Sequence, residues 1–167
     1  MAAKESPFLS VMGVFNYIGL MSPVIITFLV FFSGALGALM WATFLILTLA
    51  IAALINERFI KSTDIEPNKL LKNMSYNCGV FKIPGDSIQS IIPFRITFHF
   101  FTIIYLITSA AAAGSLNTSS IVFIVFISML SIGDLIRIKS SKCYDIETIM
   151  RGLVYGLVSG LLGLASF

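Results

Sequence analysis

The sequence predicts an all-α fold: a polytopic bundle of about five transmembrane helices that forms a single membrane domain over residues 1–167. Apolar residues make up 57% of the chain and charged residues only 11%, whereas soluble proteins carry about 25% charged residues. The mean hydropathy is +0.98, and several apolar runs reach the roughly 20 residues that a helix needs to cross the hydrocarbon core. Such a composition is typical of an integral membrane protein.

The first two helices come from one apolar run, which begins near Phe8 and is too long for a single span. The segment SGALG at 33–37 interrupts this run, so we place the first helix at about 12–32 and the second at about 38–55. The first helix lacks the basic start and small-residue cleavage site of a signal peptide, which predicts that it is retained. The alternative is a count of four spans, with the first run lying partly in the membrane interface.

A polar loop at about 56–92 separates these helices from the last three, which we place at about 93–113, 119–135 and 148–167. Within the loop, the sequence EPNKLLKNM can form a short interfacial helix that contacts acyl chains and anionic headgroups. Binding of a specific lipid at this segment is the alternative. Membrane lipids are therefore expected partners, whereas nucleic acid is not.

The charged residues lie on one side of the predicted bundle. This charged side consists of the N-terminus, the 56–92 loop, the segment at about 136–147 and the adjoining helix ends, and it contains all eleven Lys and Arg and all eight Asp and Glu residues. The turns on the opposite side, SGALG and GSLNTS, carry no charge. Because Lys and Arg are enriched in cytoplasmic loops, we expect the N-terminus and the charged loops in the cytoplasm and the C-terminus on the opposite side.

Two segments of the charged side resemble, in their residues and their order, the motifs of a known protein family. KIPGDSIQS at 82–90 precedes the third predicted helix, and KSSKCYDIETIMRGLVYGLVSG at 139–160 leads into the fifth. In this order they resemble the membrane-bound type-2 phosphatidic acid phosphatase superfamily, which includes the dolichyl-diphosphate phosphatases. That family has a P-S-G-H-[SA]-Q-S loop at the start of one membrane helix and, two spans later, an H-x-x-x-[DQ] segment before a glycine-bearing last helix. The resemblance covers roughly residues 56–160.

The resemblance places a vestigial phosphate site on the first segment. Pro84, Gln89 and Ser90 stand where the family has P, Q and S. Gly85 and Ser87 belong to the four residues that replace the family's S-G-H-S, and Ser87 takes the place of the first histidine.

The second segment departs from the family at its catalytic positions. Tyr144 takes the place of the second histidine, Thr148 stands where Asp or Gln would orient that histidine, and Glu147 is its neighbour. Gly152 matches the glycine of the last helix. The family's earlier K-x6-R-P motif is reduced to Glu66-Pro67, with an acid in place of the arginine and no lysine eight residues before the proline.

These replacements remove the family's chemistry. Its phosphatases use one histidine as nucleophile and the other as general acid, and both must have a suitable protonation state near working pH. Ser87 has no identifiable base beside it, and the ordinary pKa of a tyrosine such as Tyr144 is about 10. The only histidine, His99, is expected to be a polar contact inside the bundle. We therefore expect no catalytic residue, no metal and no cofactor.

The last predicted helix carries glycines at intervals of four residues, Gly152, Gly156 and Gly160. Such a face lets helix backbones approach closely. We expect it to pack inside the chain; contact with a second copy or with another membrane protein is the alternative.

The two cysteines, Cys78 and Cys143, lie on the charged side, outside any metal-ligand spacing. In a cytoplasmic setting we expect free thiols. A disulfide would require an oxidising compartment on that side.

Together these observations predict a catalytically inactive, phosphatase-like membrane protein that serves as a structural or lipid-binding component of a membrane assembly, such as the internal membrane of a virus. One alternative is an active lipid phosphate phosphatase with rearranged site residues. The other is an accessory subunit of a membrane complex.

Overall fold

The computed structural model describes residues 21–31, 36–62, 91–114, 117–140 and 143–164. The regular structure in these ranges is helical and consists of α1 (Met21–Phe31), α2 (Leu36–Ser62), α3 (Phe94–Ala112), α4 (Thr118–Ser140) and α5 (Ile146–Leu164). Helices α2 to α5 are each long and apolar enough to cross a bilayer, and α1 is apolar over its described length. The predicted all-α fold with about five helices is confirmed.

Two helices extend further toward the charged side than the sequence predicted. We expected the second helix to end at Ile55 and the fourth at Leu135, but α2 continues to Ser62 and α4 to Ser140. A helix can continue past the hydrocarbon core because long basic side chains reach the interface while their stems cover apolar surface. In α4, Arg137 and Lys139 occupy the last turn, where cations also favour the negative end of the helix dipole.

Helix α3 lies at the centre of the described bundle. It contacts α2, α4 and α5, and its most extensive contact is with α5. The glycine face of α5 makes this contact close: a Cβ atom built on Gly152 would lie 2.7 Å from Cγ of Pro93, and one built on Gly160 would lie 3.0 Å from Cβ of Ile104. The two helices approach each other because these positions of α5 have no side chain.

The largest apolar cluster surrounds Trp41 of α2, whose side chain is 1% exposed. Its ring makes edge contacts with Phe31 of α1 and Phe98 of α3, at centroid distances of 6.2 and 6.1 Å. The indole nitrogen donates a hydrogen bond of 3.3 Å to the hydroxyl of Thr102. A buried tryptophan needs a hydrogen-bond acceptor, and α3 supplies one.

A second polar contact joins the charged-side end of α2 to the start of α3. The buried amide of Asn56 donates to the carbonyl of Ile92 at 2.8 Å and accepts from its backbone N–H at 3.0 Å. Both backbone groups of Ile92 lie just before the first turn of α3, where no helical partner is available to them. Asn56 therefore fixes where α3 begins relative to α2.

Candidate functional site

Polar side chains of three helices meet in the part of the bundle nearest the charged side. On α3, Arg95 and His99 are one turn apart and share a face; on α4, polar residues recur every three positions. We call the buried group that they form with one hydroxyl of α1 the ionic cluster. Its members are Ser22, Arg95, His99, Ser131, Asp134 and Arg137.

Asp134 is the centre of the ionic cluster, and its side chain is 0% exposed. Its Oδ2 accepts hydrogen bonds from Nε of Arg95 at 2.5 Å and from Nε2 of His99 at 2.9 Å. Its Oδ1 accepts from Nη2 of Arg95 at 2.9 Å and from Nε of Arg137 at 3.1 Å. Four donors thus occupy the acceptor positions of one carboxylate, and Arg95 binds it in the bidentate geometry typical of strong guanidinium–carboxylate pairs.

His99 of α3 connects the carboxylate to a second hydroxyl group of α4 and to α1. Its Nδ1 lies 3.1 Å from the hydroxyl oxygen of Ser131, and its Nε2 lies 3.5 Å from the hydroxyl oxygen of Ser22. The ring is 0% exposed and makes an edge contact with Phe98. His99 is therefore a polar contact inside the bundle, as predicted.

The depth of the ionic cluster explains how the bundle tolerates it. Arg95 is the second residue of α3, and Asp134 lies six residues before the end of α4, which corresponds to about 9 Å along the helix axis. The cluster is therefore close to the charged-side ends of α3 and α4. Taking charges out of water is costly, but opposite charges with well-aligned hydrogen bonds offset much of this cost.

The contacts of Ser131, His99 and Asp134 include the residue types of a hydrolytic triad. The order of the ring nitrogens is reversed, however: Nδ1 faces the serine and Nε2 the aspartate, whereas serine proteases have the opposite arrangement. Ser131 is only 1% exposed, and its hydroxyl also lies 2.9 Å from the carbonyl oxygen of Ile127. The arrangement joins α3 to α4 rather than presenting a nucleophile.

The predicted vestigial phosphate site is only partly described. One group of its positions lies outside the described residues: Pro84, Gly85, Ser87, Gln89 and Ser90. Tyr144 is buried in an apolar cluster with Ile96, Ile138 and Cys143.

Two further positions of the predicted site, Glu147 and Thr148, lie in the first turn of α5. Glu147 is exposed and forms an ion pair with Arg151 one turn further along α5, and Thr148 is half-buried. Of the described positions of the predicted site, Tyr144 is thus buried, Thr148 is half-buried and Glu147 is exposed.

The expectation of free thiols is wrong for Cys143. This residue is buried and takes part in a disulfide bond, while Cys78, the other cysteine of the chain, lies outside the described residues. Distance along the sequence did not reveal the pairing, because the fold decides which residues meet. A disulfide favours an oxidising compartment for the charged side, whereas the positive-inside rule favours the cytoplasm. The orientation of the termini stays a prediction.

Among the described residues, no group of three or more His, Cys, Asp or Glu side chains is placed to hold a metal ion.

Sequence reasoning missed the ionic cluster. The signal was present as polar residues at helical spacing within apolar runs: Arg95 and His99 four apart, and Ser131, Asp134 and Arg137 three apart. The predicted end of the fourth helix at Leu135 leaves Arg137 outside the helix and places Asp134 at its last turn. Extending the helix by one turn would have placed all three residues of α4 on one face.

The four long apolar helices define an integral, multi-pass membrane protein of the all-α class. Comparison with protein-family models, with curated proteins and with solved structures finds no match to this chain.

Proposed function

We propose that this chain is a non-catalytic structural component of a membrane assembly, with the layout of a phosphatidic acid phosphatase but without its chemistry. The ionic cluster is the observation that supports the proposal best. Its carboxylate is engaged by four donors from α3 and α4, so these side chains hold two helices together. Groups used in this way act as a fixed joint, which suits a scaffold.

The outer faces of the helices support a role within lipid. Helix α2 exposes Leu39, Ile46 and Leu54, and α4 exposes Val122 and Met129. In a membrane these faces contact acyl chains or the helices of neighbouring proteins. Membrane lipids, a second copy of the chain and other membrane proteins are the partners that we propose, and the internal membrane of a virus is a setting that would suit such a component.

The described part of the phosphatase-like segment supports the absence of catalysis. A general acid must reach its substrate, but Tyr144 is 7% exposed and packs against apolar side chains. Glu147, the acid nearest to it in sequence on α5, faces outward and pairs with Arg151. The low exposure of Tyr144 and the outward position of Glu147 support a role without catalysis.

The proposal is tested by assaying the purified full-length protein, in lipid nanodiscs, for phosphate release from phosphatidate and from isoprenyl diphosphates. We expect no release above a protein-free blank. In parallel, crosslinking in the native membrane is expected to recover the chain in a defined complex with itself or with other membrane proteins.

Phosphate release by the parent that disappears in Tyr144→Phe would overturn the proposal. Tyr155→Phe is the matched control, because Tyr155 lies on α5 and donates its hydroxyl to the carbonyl of Thr48, away from the predicted site. Labelling of Ser131 by a fluorophosphonate would likewise show a reactive serine, and we expect none.

A further inference from the structure

His99 has two hydroxyl neighbours and one carboxylate neighbour, all from other helices. Asp134 contacts Nε2 at 2.9 Å, Ser22 lies 3.5 Å from the same nitrogen, and Ser131 lies 3.1 Å from Nδ1. The scaffold role proposed above explains why the cluster is buried. It does not require that one member be a histidine, the side chain whose ordinary pKa lies nearest neutrality.

Asp134 determines that Nε2 of His99 carries a hydrogen. Two guanidinium groups bind this carboxylate, and opposite charges at such distances keep it ionised. An ionised carboxylate only accepts hydrogen bonds, so Nε2 of His99 carries a hydrogen and donates it to Oδ2. Any change in protonation of this ring must therefore occur at Nδ1.

The surroundings of Nδ1 suit both of its protonation states. When Nδ1 has no hydrogen, the hydroxyl of Ser131 can donate to it across 3.1 Å. When Nδ1 is protonated, it can donate to the same oxygen, and Ser131 can turn its hydrogen to the carbonyl oxygen of Ile127, 2.9 Å away. The two states differ by the rotation of one hydroxyl, and no heavy atom has to move to satisfy the hydrogen bonds of either one.

We propose that the His99–Ser131 pair is a reversible proton-binding site, at which Nδ1 takes up a proton from the charged side of the membrane. In the reaction, H⁺ adds to the lone pair of Nδ1, the imidazole becomes an imidazolium, and the hydroxyl hydrogen of Ser131 moves from Nδ1 to Ile127. The charge of the described cluster then rises by one. Because the ring contacts α1 and α4 from α3, the added charge lies where these three helices meet.

The charged groups facing His99 have opposite effects on the binding of a proton to its ring. Asp134 of α4 attracts it, whereas Arg95 of α3 and Arg137 of α4, which bind the same carboxylate, oppose it. Helix α1 contributes the hydroxyl of Ser22. No charged side chain in the described parts of α1, α2 or α5 is hydrogen-bonded or ion-paired to the ring.

The experiment is ¹⁵N NMR of the full-length protein, labelled at histidine and held in lipid nanodiscs. Since the chain contains a single histidine, both signals come from this ring. From about pH 9 down to about pH 4, we expect Nε2 to remain protonated and Nδ1 to gain a hydrogen in one reversible step.

Ser131→Ala removes the acceptor that the imidazolium needs. A hydrogen bond to a charged group is stronger than one to a neutral group, so we expect the midpoint to move to lower pH by about one unit. Ser128→Ala is the matched control: this serine is one turn earlier on α4, its hydroxyl donates to the carbonyl of Ile124 at 2.8 Å, and it does not contact the ring. We expect the parent midpoint in that variant.

Two results would overturn the proposal. One is a Nδ1 signal that does not change over the whole pH range in the folded parent. The other is a midpoint that is the same in Ser131→Ala, Ser128→Ala and the parent, since the serine would then have no part in proton binding.

Discussion

Gly156 is the position where α5 comes closest to the backbone of α3. A Cβ atom built there would lie 2.8 Å from the carbonyl oxygen of Thr97, 2.9 Å from Cβ of Phe100 and 3.1 Å from the backbone nitrogen of Phe101. Two of these three atoms are backbone atoms of a buried helix, which cannot rotate away as a flexible side chain can. Replacing Gly156 by Ala must therefore push the helices apart.

The change in the free energy of unfolding caused by Gly156→Ala is the sum of two opposing contributions. Overpacking of a well-packed interior costs about 1–3 kcal/mol. Alanine in place of glycine also favours a helix by about 0.5–1 kcal/mol. To remove the second contribution, Gly156→Ala is compared with Gly163→Ala on the same helix, where the nearest atom to a new Cβ is 3.5 Å away, an ordinary contact.

The assay is thermal unfolding of both variants in the same detergent. At roughly 2–4 °C per kcal/mol for a chain of this size, we expect Gly156→Ala to melt about 2–12 °C below Gly163→Ala. Gly133→Ala on α4, where nothing lies within 4 Å of a new Cβ, is expected to melt at or above the parent. Equal melting temperatures for the 156 and 163 variants would refute a close α3–α5 contact.

Three further changes probe the rest of the molecule. Asp134→Asn leaves the cations of the ionic cluster without their carboxylate and should destabilise the protein by about 3–5 kcal/mol, whereas Asp145→Asn, at an exposed position just before α5, should not. Asn56→Ala removes both hydrogen bonds to Ile92 and should cost about 1–3 kcal/mol; the exposed Thr43→Ala is the control, and equal melting of the two would contradict the contact. Reporter fusions at the two termini should give opposite locations, because the five spans that the sequence predicts place the ends on opposite sides; matching locations would mean an even number of spans.

The residues that resemble the phosphatase motifs are different from the residues that form the ionic cluster. The pattern pointed to KIPGDSIQS and to the start of α5, where Tyr144 is buried in apolar surroundings and Glu147 is exposed. Among the described residues, the densest polar contacts are instead those of Arg95, His99 and Asp134, which the pattern does not include. Short motifs identify positions in a chain, but they do not report which side chains meet.

The amino-acid sequence by itself determined the class of protein and the five helices that lie within the described residues. Apolar runs of bilayer length must form helices, since only internal hydrogen bonds can satisfy the backbone in hydrocarbon. The described helices follow those runs. Their ends differ from the predicted ends where a helix continues through the charged residues at 57–58 and 137–139. The spacing of the glycines in α5 also predicted a close helix contact, though not its partner.

Only the tertiary structure decided that α5 packs on α3 and that a charged cluster lies inside the bundle. Asp134 is 39 residues from Arg95 and 35 from His99 along the chain, so its environment is set by the packing of α3 against α4. An aspartate near the end of an apolar run looks like an interfacial residue by composition. It becomes a buried one because the facing helix brings cationic donors to both of its oxygens, which offset the cost of removing the charge from water.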